Sequence, residues 1–240
     1  SFFCLEKILM KLTEIENFNA EQSLFDSFNG FMLSSDLKVF GKLLARTLLF
    51  DKVKDIPGDV VECGVFKGTG IFTFLKLKRY FCPNSNKQVI GFDFYNTKDL
   101  VESLSGYDKE AMDTMFKGRG FEHEVTFKDY LNQKILDSGF QDYEFELIPG
   151  DVCETTHQFV KERPGAKISL LYIDVDLEVP TYEILSAMWD RVSSGGIVVF
   201  DDYAYQRWSE SPGADKFFEN IGVTIKSLNF MAPTAYAIKP

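Results

Sequence analysis

The sequence has few of the residues that stabilise small disulfide-bonded or zinc-bound domains. Its 240 residues include four cysteines and two histidines. The cysteines, Cys4, Cys63, Cys82 and Cys153, lie far apart and form no Cys-x-x-Cys pair, which disfavours a disulfide framework and a structural zinc site. We therefore expect reduced thiols and a cytoplasmic protein.

The chain also lacks an excess of basic residues and any long apolar run. It has 26 Lys and Arg against 36 Asp and Glu, a net charge of −10, whereas nucleic-acid-binding proteins usually present a basic face. The longest apolar runs, such as Ile197–Phe200, have the length of a strand, and the start, Ser1–Lys7, lacks the residue order of a signal peptide. We expect neither a nucleic-acid partner nor a membrane association.

The length and the pattern of the chain predict one large α/β domain with an N-terminal extension. Strand and helix patterns alternate from residue 59 to residue 201, which predicts a parallel sheet with helices on both faces. Residues 1–34 are predicted to be an accessory or lid segment, and residues 35–240 the main domain. Within that domain, residues 95–143 form a lid-like insertion, because long irregular connections often cover a substrate.

Some local predictions are specific enough to be checked individually. Apolar residues at helical spacing from Leu5 to Ile15 predict a helix, whereas residues 17–32 show a less regular pattern. Ser35-Asp36 is predicted to cap the next helix. Ser194-Gly195-Gly196 predicts a turn that leads into the fifth strand, Ile197–Phe200.

Residues 58–74 are predicted to form a strand, a glycine-rich loop and the start of a helix. Gly64, Gly68 and Gly70 allow a tight turn and a close approach of a ligand to the backbone. The spacing fits neither a P-loop nor the dinucleotide fingerprint Gly-x-Gly-x-x-Gly. Glu62 at the strand end would repel a pyrophosphate but suits a cationic amino group, which favours S-adenosylmethionine (SAM) over NAD. An ordinary tight turn is the alternative interpretation.

Acidic residues follow most of the predicted strands, where ligands bind in open α/β sheets. They are Glu62, Asp93, Asp151, Asp174, Asp176, Asp201 and Asp202. Asp93 ends the second strand, a position that suits the ribose hydroxyls of a nucleotide; a turn cap is the alternative. Carboxylates at adjacent strand ends repel each other unless a cation lies among them, and oxygen ligands alone suit Mg²⁺. Separate caps and surface turns are the alternative here.

Three segments together resemble the macrocin O-methyltransferase (TylF-like) family. They are Gly58–Val65, Ile173–Asp176 and Gly195–Tyr203, and Ala214–Phe218 resembles the stretch that follows them in the family. The resemblance covers residues 35–239 in the same order and spacing. Family members are SAM- and Mg²⁺-dependent enzymes that methylate hydroxyl groups, mostly on sugars and aromatic rings of natural products.

The resemblance implies a Rossmann-like SAM methyltransferase fold with a mostly parallel seven-stranded sheet, ordered 3-2-1-4-5-7-6 with helices on both faces. It implies that Asp174, Asp201 and Asp202 bind the metal and that Asp176 is the general base. It also implies a set of residues that border SAM, namely Glu62, Gly64, Asp93 and Asp151. The acceptor would be a small hydroxylated molecule such as a sugar or a phenol, and a homo-oligomer is left open.

The sequence departs from the family at three places. Phe66–Thr69 replaces Trp-Arg-Gly-Gly, Asp93–Thr97 replaces Asp-Ser-Phe-Glu-Gly, and Glu178–Thr181 replaces Tyr-x-Ser-Thr. These are cofactor-loop and substrate-facing positions, whereas all the metal acids are present. Two alternatives therefore accompany the main hypothesis. One is a SAM methyltransferase that needs no metal, and the other is a non-catalytic binding protein on the same fold.

Overall fold

A seven-stranded sheet organises the computed structural model, which describes residues 20–119 and 126–240. Its strands are β1 (Asp59–Cys63), β2 (Val89–Asp93), β3 (Phe145–Pro149), β4 (Ile168–Ile173), β5 (Val192–Phe200), β6 (Lys226–Ser227) and β7 (Ala235–Ile238). The order across the sheet is β3-β2-β1-β4-β5-β7-β6. Strands β1 to β5 are parallel, while β7 runs antiparallel to both β5 and β6. The predicted fold class and strand order are confirmed.

The helices of the described residues alternate with these strands. They are α1 (Ala20–Met32), α2 (Lys38–Val53), α3 (Thr69–Phe81), α4 (Thr97–Ser103), α5 (Gly106–Gly118), α6 (Lys128–Asp137), α7 (Val152–Glu162), α8 (Glu178–Met188) and α9 (Glu210–Phe218). The chain divides into two compact units, residues 1–40 and residues 41–240, and the sheet belongs to the second. The assignment of residues 1–34 as a lid stays a prediction.

Two helices differ from the sequence-based expectation. Residues 17–32 were expected to be irregular, but helix α1 occupies most of this stretch, so the weak helix signal of its Phe and Asn residues misled the prediction. Helix α4 was also missed; the Asn96 side chain caps it by accepting from the backbone N–H groups of Lys98 and Asp99.

The Asp36 cap is confirmed, since its Oδ1 accepts from the N–H of Val39 at 2.7 Å. The helix predicted from Leu5 to Ile15 lies outside the described residues.

Strand β5 begins at Val192, five residues before the predicted start at Ile197. Ile168 of β4 pairs with Val192 and Leu170 pairs with Ile197, so extra residues of β5 bulge between these two pairs. Gly195 lies in this bulge with a φ of 79°, and its N–H donates to the Lys239 carbonyl at 2.8 Å. The predicted turn at Ser194-Gly195-Gly196 is therefore wrong, because these residues form a bulge inside the strand.

The sheet has a buried core on each face, because helices cover both sides. One core includes Val61, Cys63 and Ile173 together with Phe159 and Leu185, from helices α7 and α8. The alternate positions face the other core, whose members include Phe50, Val60, Phe74, Leu131, Leu170 and Val199. Both faces of β1 and β4 are therefore dry, and only the strand ends remain available to ligands.

Cys63, Cys82 and Cys153 are free thiols, as predicted, and Cys4 lies outside the described residues. Within residues 20–119 and 126–240, no helix combines the length and the hydrophobicity needed to span a bilayer.

Candidate active site

The loop after β1 is tied to the end of β2 by Asp93. Its Oδ2 accepts from the backbone N–H groups of Val65 at 2.8 Å and Phe66 at 2.9 Å, and its Oδ1 accepts from that of Tyr95 at 2.7 Å. Burial raises the pKa of Asp93, and the hydrogen bonds from Phe66, Tyr95 and Val65 oppose that rise. Asp93 therefore shapes the loop, and Oδ1, which accepts from one N–H group, keeps lone-pair capacity for a further donor.

Gly64 brings the same loop against the end of β4. Its φ is 91°, and an added Cβ would lie 1.9 Å from the Asp174 carbonyl oxygen. The Asp174 N–H also donates to the Cys63 carbonyl at 2.8 Å. The glycine loop and the acidic residues after β4 consequently share one edge of the sheet.

Glu62 pairs with Arg46, a residue of helix α2 that sequence reasoning missed. Both side chains are buried, and Arg46 Nη2 lies 3.2 Å from Glu62 Oε1. The Arg46 guanidinium also lies 4.8 Å from the centre of the Tyr172 ring, a cation–π contact. Burial raises the pKa of Glu62 to about 8, although Arg46 opposes the rise. Arg46 interrupts the otherwise apolar buried face of α2, and that interruption was the available signal.

Glu62 also packs against the first turn of helix α3. An added Cβ at Gly70 would lie 1.7 Å from Glu62 Oε1. Glu62 Oε2 is buried and has no hydrogen-bond partner among the described residues. Arg46 and Gly70 thus enclose the Glu62 carboxylate on two sides. A direct contact between Glu62 and SAM stays a prediction.

Gly70→Ala should lower the stability of the protein, because the new Cβ needs the space of the Glu62 carboxylate. Overpacking of this kind costs about 1–3 kcal/mol. Gly118→Ala, at the end of helix α5, is the matched control, since an added Cβ there meets nothing within 4 Å. Chemical denaturation of the two variants measures the difference in the free energy of unfolding. Equal stabilities would contradict the close packing of Glu62 on Gly70.

Asp151 is the N-cap of helix α7, and its Oδ1 accepts from the backbone N–H of Cys153 at 2.8 Å. This is the capping role that acids often take at helix starts. Its predicted contact with the adenine of SAM stays a prediction.

The paired ends of β4 and β5 bring the other predicted acids together. Ile173 pairs with Phe200, so Asp174 and Asp201 follow neighbouring positions of the two strands. One carboxylate oxygen from each of Asp174, Asp176 and Asp202 lies within 4.8 Å of the other two. The acids that were predicted to cluster at this edge of the sheet therefore do lie close together.

Asp176 reaches this cluster through a turn. Strand β4 ends at Ile173, and Asp176 has a φ of 66°, so the strand does not extend to Asp176. Burial, the charge of Asp174 and a hydrogen bond with Asp202 raise the pKa of Asp176 well above its ordinary value. A carboxyl group with a raised pKa is a stronger proton acceptor than an ordinary aspartate.

Asp201 is buried and lies between a phenol and an ammonium group. Its Oδ1 accepts from the Tyr172 hydroxyl at 2.6 Å, and its Oδ2 lies 2.8 Å from Lys42 Nζ. Burial and the charge of Asp174 raise the pKa of Asp201 to about 7, while Lys42 opposes the rise. Lys42 Nζ also lies 3.1 Å from Asp174 Oδ2. Sequence reasoning did not identify Lys42, because it is one of many lysines in helical segments.

Glu210, in the first turn of helix α9, is a further buried acid behind the cluster. Its Oε1 accepts from the Asp202 N–H at 3.1 Å, and its Oε2 has no partner in the part of the chain that the structure describes. Burial, followed by the charges of Asp201 and Asp202, raises its pKa well above the ordinary value. Glu210 was missed because an acid at a helix start usually has only a dipole or capping role.

Comparison with known proteins identifies the class of this domain. A family profile described as a methyltransferase domain matches residues 61–203, and the chain belongs to this family. The match covers the glycine loop, the acids after β4 and β5, and residues 95–143 between them.

Two relatives and one solved structure agree with the resemblance to macrocin O-methyltransferases. Demethyldecarbamoylnovobiocin O-methyltransferase of Streptomyces niveus is 25% identical over 62% of this chain and 54% of its own length. A tetracenomycin-rhamnosyl 4'-O-methyltransferase of Streptomyces olivaceus is 26% identical over 66% of this chain and 57% of its own. The chain thus spans little more than half the length of these curated relatives.

The solved structure is that of a TDP-rhamnose 3'-O-methyltransferase of calicheamicin biosynthesis. It superposes with a TM-score of 0.72 at 25% identity, over 97% of this chain and 92% of the other. These findings confirm the family resemblance and the Rossmann-like methyltransferase fold.

Proposed function

We propose that the protein transfers a methyl group from SAM to a hydroxyl group of a sugar or another small natural product, with the help of a divalent cation. One observation carries this proposal: the glycine loop and the acidic cluster meet at the same sheet edge, where Gly64 faces the Asp174 carbonyl. The relatives named above support the acceptor class, since one acts on a rhamnosyl tetracenomycin, one on TDP-rhamnose and one on a novobiocin precursor.

The acidic cluster suits a hard cation such as Mg²⁺. Its donors are all carboxylate oxygens, and those of Asp174, Asp176 and Asp202 are close enough for shared coordination. The family resemblance assigns the ion to Asp174, Asp201 and Asp202, which we adopt here as the ligand set. When bound, the ion would lower the pKa of a coordinated hydroxyl group and help to hold it in place.

Asp176 is the best-placed proton acceptor of the cluster. Burial and the neighbouring acids raise its pKa, so its carboxylate form binds a proton more strongly than an ordinary aspartate does. The hydrogen bond to Asp202 and the left-handed backbone at Asp176 hold the carboxylate beside the proposed ion site. We assign Asp176 the role of general base.

The described part of the insertion supports an acceptor site beside the glycine loop. Met112 and Phe116 of helix α5 form a small core with Leu177, and Phe66 of the glycine loop packs against it. Ser209 Oγ lies 3.2 Å from Asp108 Oδ1, which ties α5 to the segment after β5. An apolar wall at this place would exclude water from the methyl donor and the activated oxygen.

A SAM methyltransferase that needs no metal is the second candidate function. The observation that favours it is Lys42, whose ammonium group already neutralises part of the cluster by pairing with Asp174 and Asp201. Methyl transfer that is unaffected by EDTA would select this candidate over the metal-dependent one.

Four residues are proposed to border SAM: Glu62, Gly64, Asp93 and Asp151. Asp93→Ala should weaken binding of S-adenosylhomocysteine, because it removes a charged acceptor and leaves unpaired two backbone N–H groups of the glycine loop and that of Tyr95. Loss of a charged hydrogen bond costs about 1.5–3 kcal/mol, or about 10- to 150-fold in affinity. Calorimetry measures the change, and Asp190→Ala, a surface carboxylate that is 95% exposed, is the control.

Unchanged affinity in Asp93→Ala would contradict the assignment of the SAM site. Tight binding of NAD by the unmodified protein would contradict SAM as the cofactor.

A further inference from the structure

Lys42 places a side-chain ammonium group inside the acidic cluster formed by Asp174, Asp176, Asp201 and Asp202. Its Nζ lies 2.8 Å from Asp201 Oδ2 and 3.1 Å from Asp174 Oδ2, two of the acids to which we assign the divalent ion. Arg46, one helical turn further along α2, is 4.0 Å from Asp174 Oδ2 but has its closer contact with Glu62. Among the described residues, Lys42 is therefore the side-chain cation that directly bridges the two acids.

We propose that Lys42 is a built-in competitor of the divalent cation: it holds Asp174 and Asp201 until the ion binds, and the ion must displace it. This inference rests on the proposed function, since it requires an ion site at these acids. The family resemblance identifies only the acids of this site. Lys42 is a further residue, and it sets the affinity of the site for the metal.

The contacts of Asp201 show why the two cations exclude each other. The Tyr172 hydroxyl donates to Oδ1, and the Lys42 ammonium group contacts Oδ2. Both carboxylate oxygens of Asp201 are therefore already occupied. An ion that takes Asp201 Oδ2 would lie within a few ångströms of the ammonium group, and like charges at that distance repel strongly. Lys42 is also 24% exposed, so its flexible side chain can leave the cluster toward solvent.

The same contacts give Lys42 a role before the ion arrives. Asp174, Asp176, Asp201, Asp202 and Glu210 would repel one another in the absence of a cation. The salt bridges of Lys42 with Asp174 and Asp201 offset part of this repulsion and keep the two acids in place. The cluster can thus be formed in the metal-free protein.

Binding of MnCl₂ to the metal-free protein, followed by the electron paramagnetic resonance signal of free Mn²⁺, tests the proposal without measuring activity. Lys42→Met should bind Mn²⁺ at least about tenfold more tightly than the unmodified protein, because a neighbouring positive charge has been removed. Lys42→Gln should behave in the same way. Lys52→Met, at an exposed lysine of the same helix, should not change the affinity.

Thermal unfolding provides a second readout and checks the folding of each variant. In EDTA, Lys42→Met should melt below the unmodified protein, because the acids are no longer neutralised. Saturating MnCl₂ should raise its melting temperature by more than it raises that of the unmodified protein. An equal or weaker Mn²⁺ affinity in Lys42→Met, with the Lys52→Met control unchanged, would overturn the role of Lys42 and leave the ion site standing.

Two other outcomes also bear on the proposed function. If neither the unmodified protein nor Lys42→Met binds Mn²⁺, both the ion site and the role of Lys42 are wrong. If only Lys42→Met binds Mn²⁺, Lys42 excludes the ion completely. That result supports the competition and contradicts a metal-dependent reaction.

Discussion

Asp202→Asn should bind Mn²⁺ at least about tenfold more weakly than the unmodified protein and should lose most of its methyl transfer at low Mg²⁺ concentration. Asp202 is buried, and one of its carboxylate oxygens lies within 4.8 Å of oxygens of Asp174 and Asp176. The asparagine keeps the shape of the side chain but removes one negative charge from the ion site. High Mg²⁺ should therefore restore part of the activity by mass action.

Two measurements complete this experiment. Free Mn²⁺ gives the affinity directly, and transfer of a labelled methyl group to a panel of nucleotide sugars and phenolic glycosides gives the activity. Asp190→Asn is the control, because that carboxylate is almost fully exposed. Activity that survives EDTA in the unmodified protein would show that the metal-dependent proposal is wrong and would select the metal-independent methyltransferase.

The architecture could be predicted from the sequence because it depends on patterns that are local along the chain. Apolar strands and periodic helices alternate from β1 to β5, and this alternation alone predicts a parallel sheet. The strand order required the family resemblance, since nothing in the periodicity distinguishes it from other doubly wound orders. Strand β5 shows the limit, because its bulge at Gly195 depends on pairing with β4 and on a bond to Lys239.

The acids of the candidate site could be predicted from the sequence, whereas their partners could not. Asp174, Asp201 and Asp202 follow recognisable strands, so the topology determines that they lie at one edge. Lys42 and Arg46 come from helix α2, far away in sequence, and only tertiary packing brings them to the acids. Their charges nevertheless determine which carboxylates are neutralised, and with that the chemistry that each acid can perform.

Helix α9 illustrates the same point on the other side of the cluster. Glu210 reaches the backbone of Asp202 because strand β5, the following turn and the helix are packed together. One of its oxygens stays buried without a hydrogen-bond partner among the described residues, which costs stability unless the carboxyl group is neutral or another group reaches it. The buried position and the neighbouring acids favour the neutral form of Glu210, as its raised pKa indicates.

Asp176→Asn should lower the turnover of methyl transfer by about 10²–10⁴-fold, the range that general base catalysis contributes. The substitution removes the proton acceptor and keeps the size of the side chain. Binding of S-adenosylhomocysteine should stay close to that of the unmodified protein, because the glycine loop is anchored by Asp93 and by Gly64. Binding of Mn²⁺ should also change little, because the ion is assigned to the other acids.

The combination of these measurements distinguishes a base from a ligand. Asp176 lies close enough to Asp174 and Asp202 to coordinate the same ion, so ligand and base are the two roles that these measurements separate. If Asp176→Asn loses Mn²⁺ affinity as strongly as Asp202→Asn does, and recovers turnover at high Mg²⁺, then Asp176 is a ligand and the base is another group. If turnover stays low at saturating Mg²⁺ while S-adenosylhomocysteine and Mn²⁺ still bind, Asp176 is the general base that takes the proton of the acceptor hydroxyl.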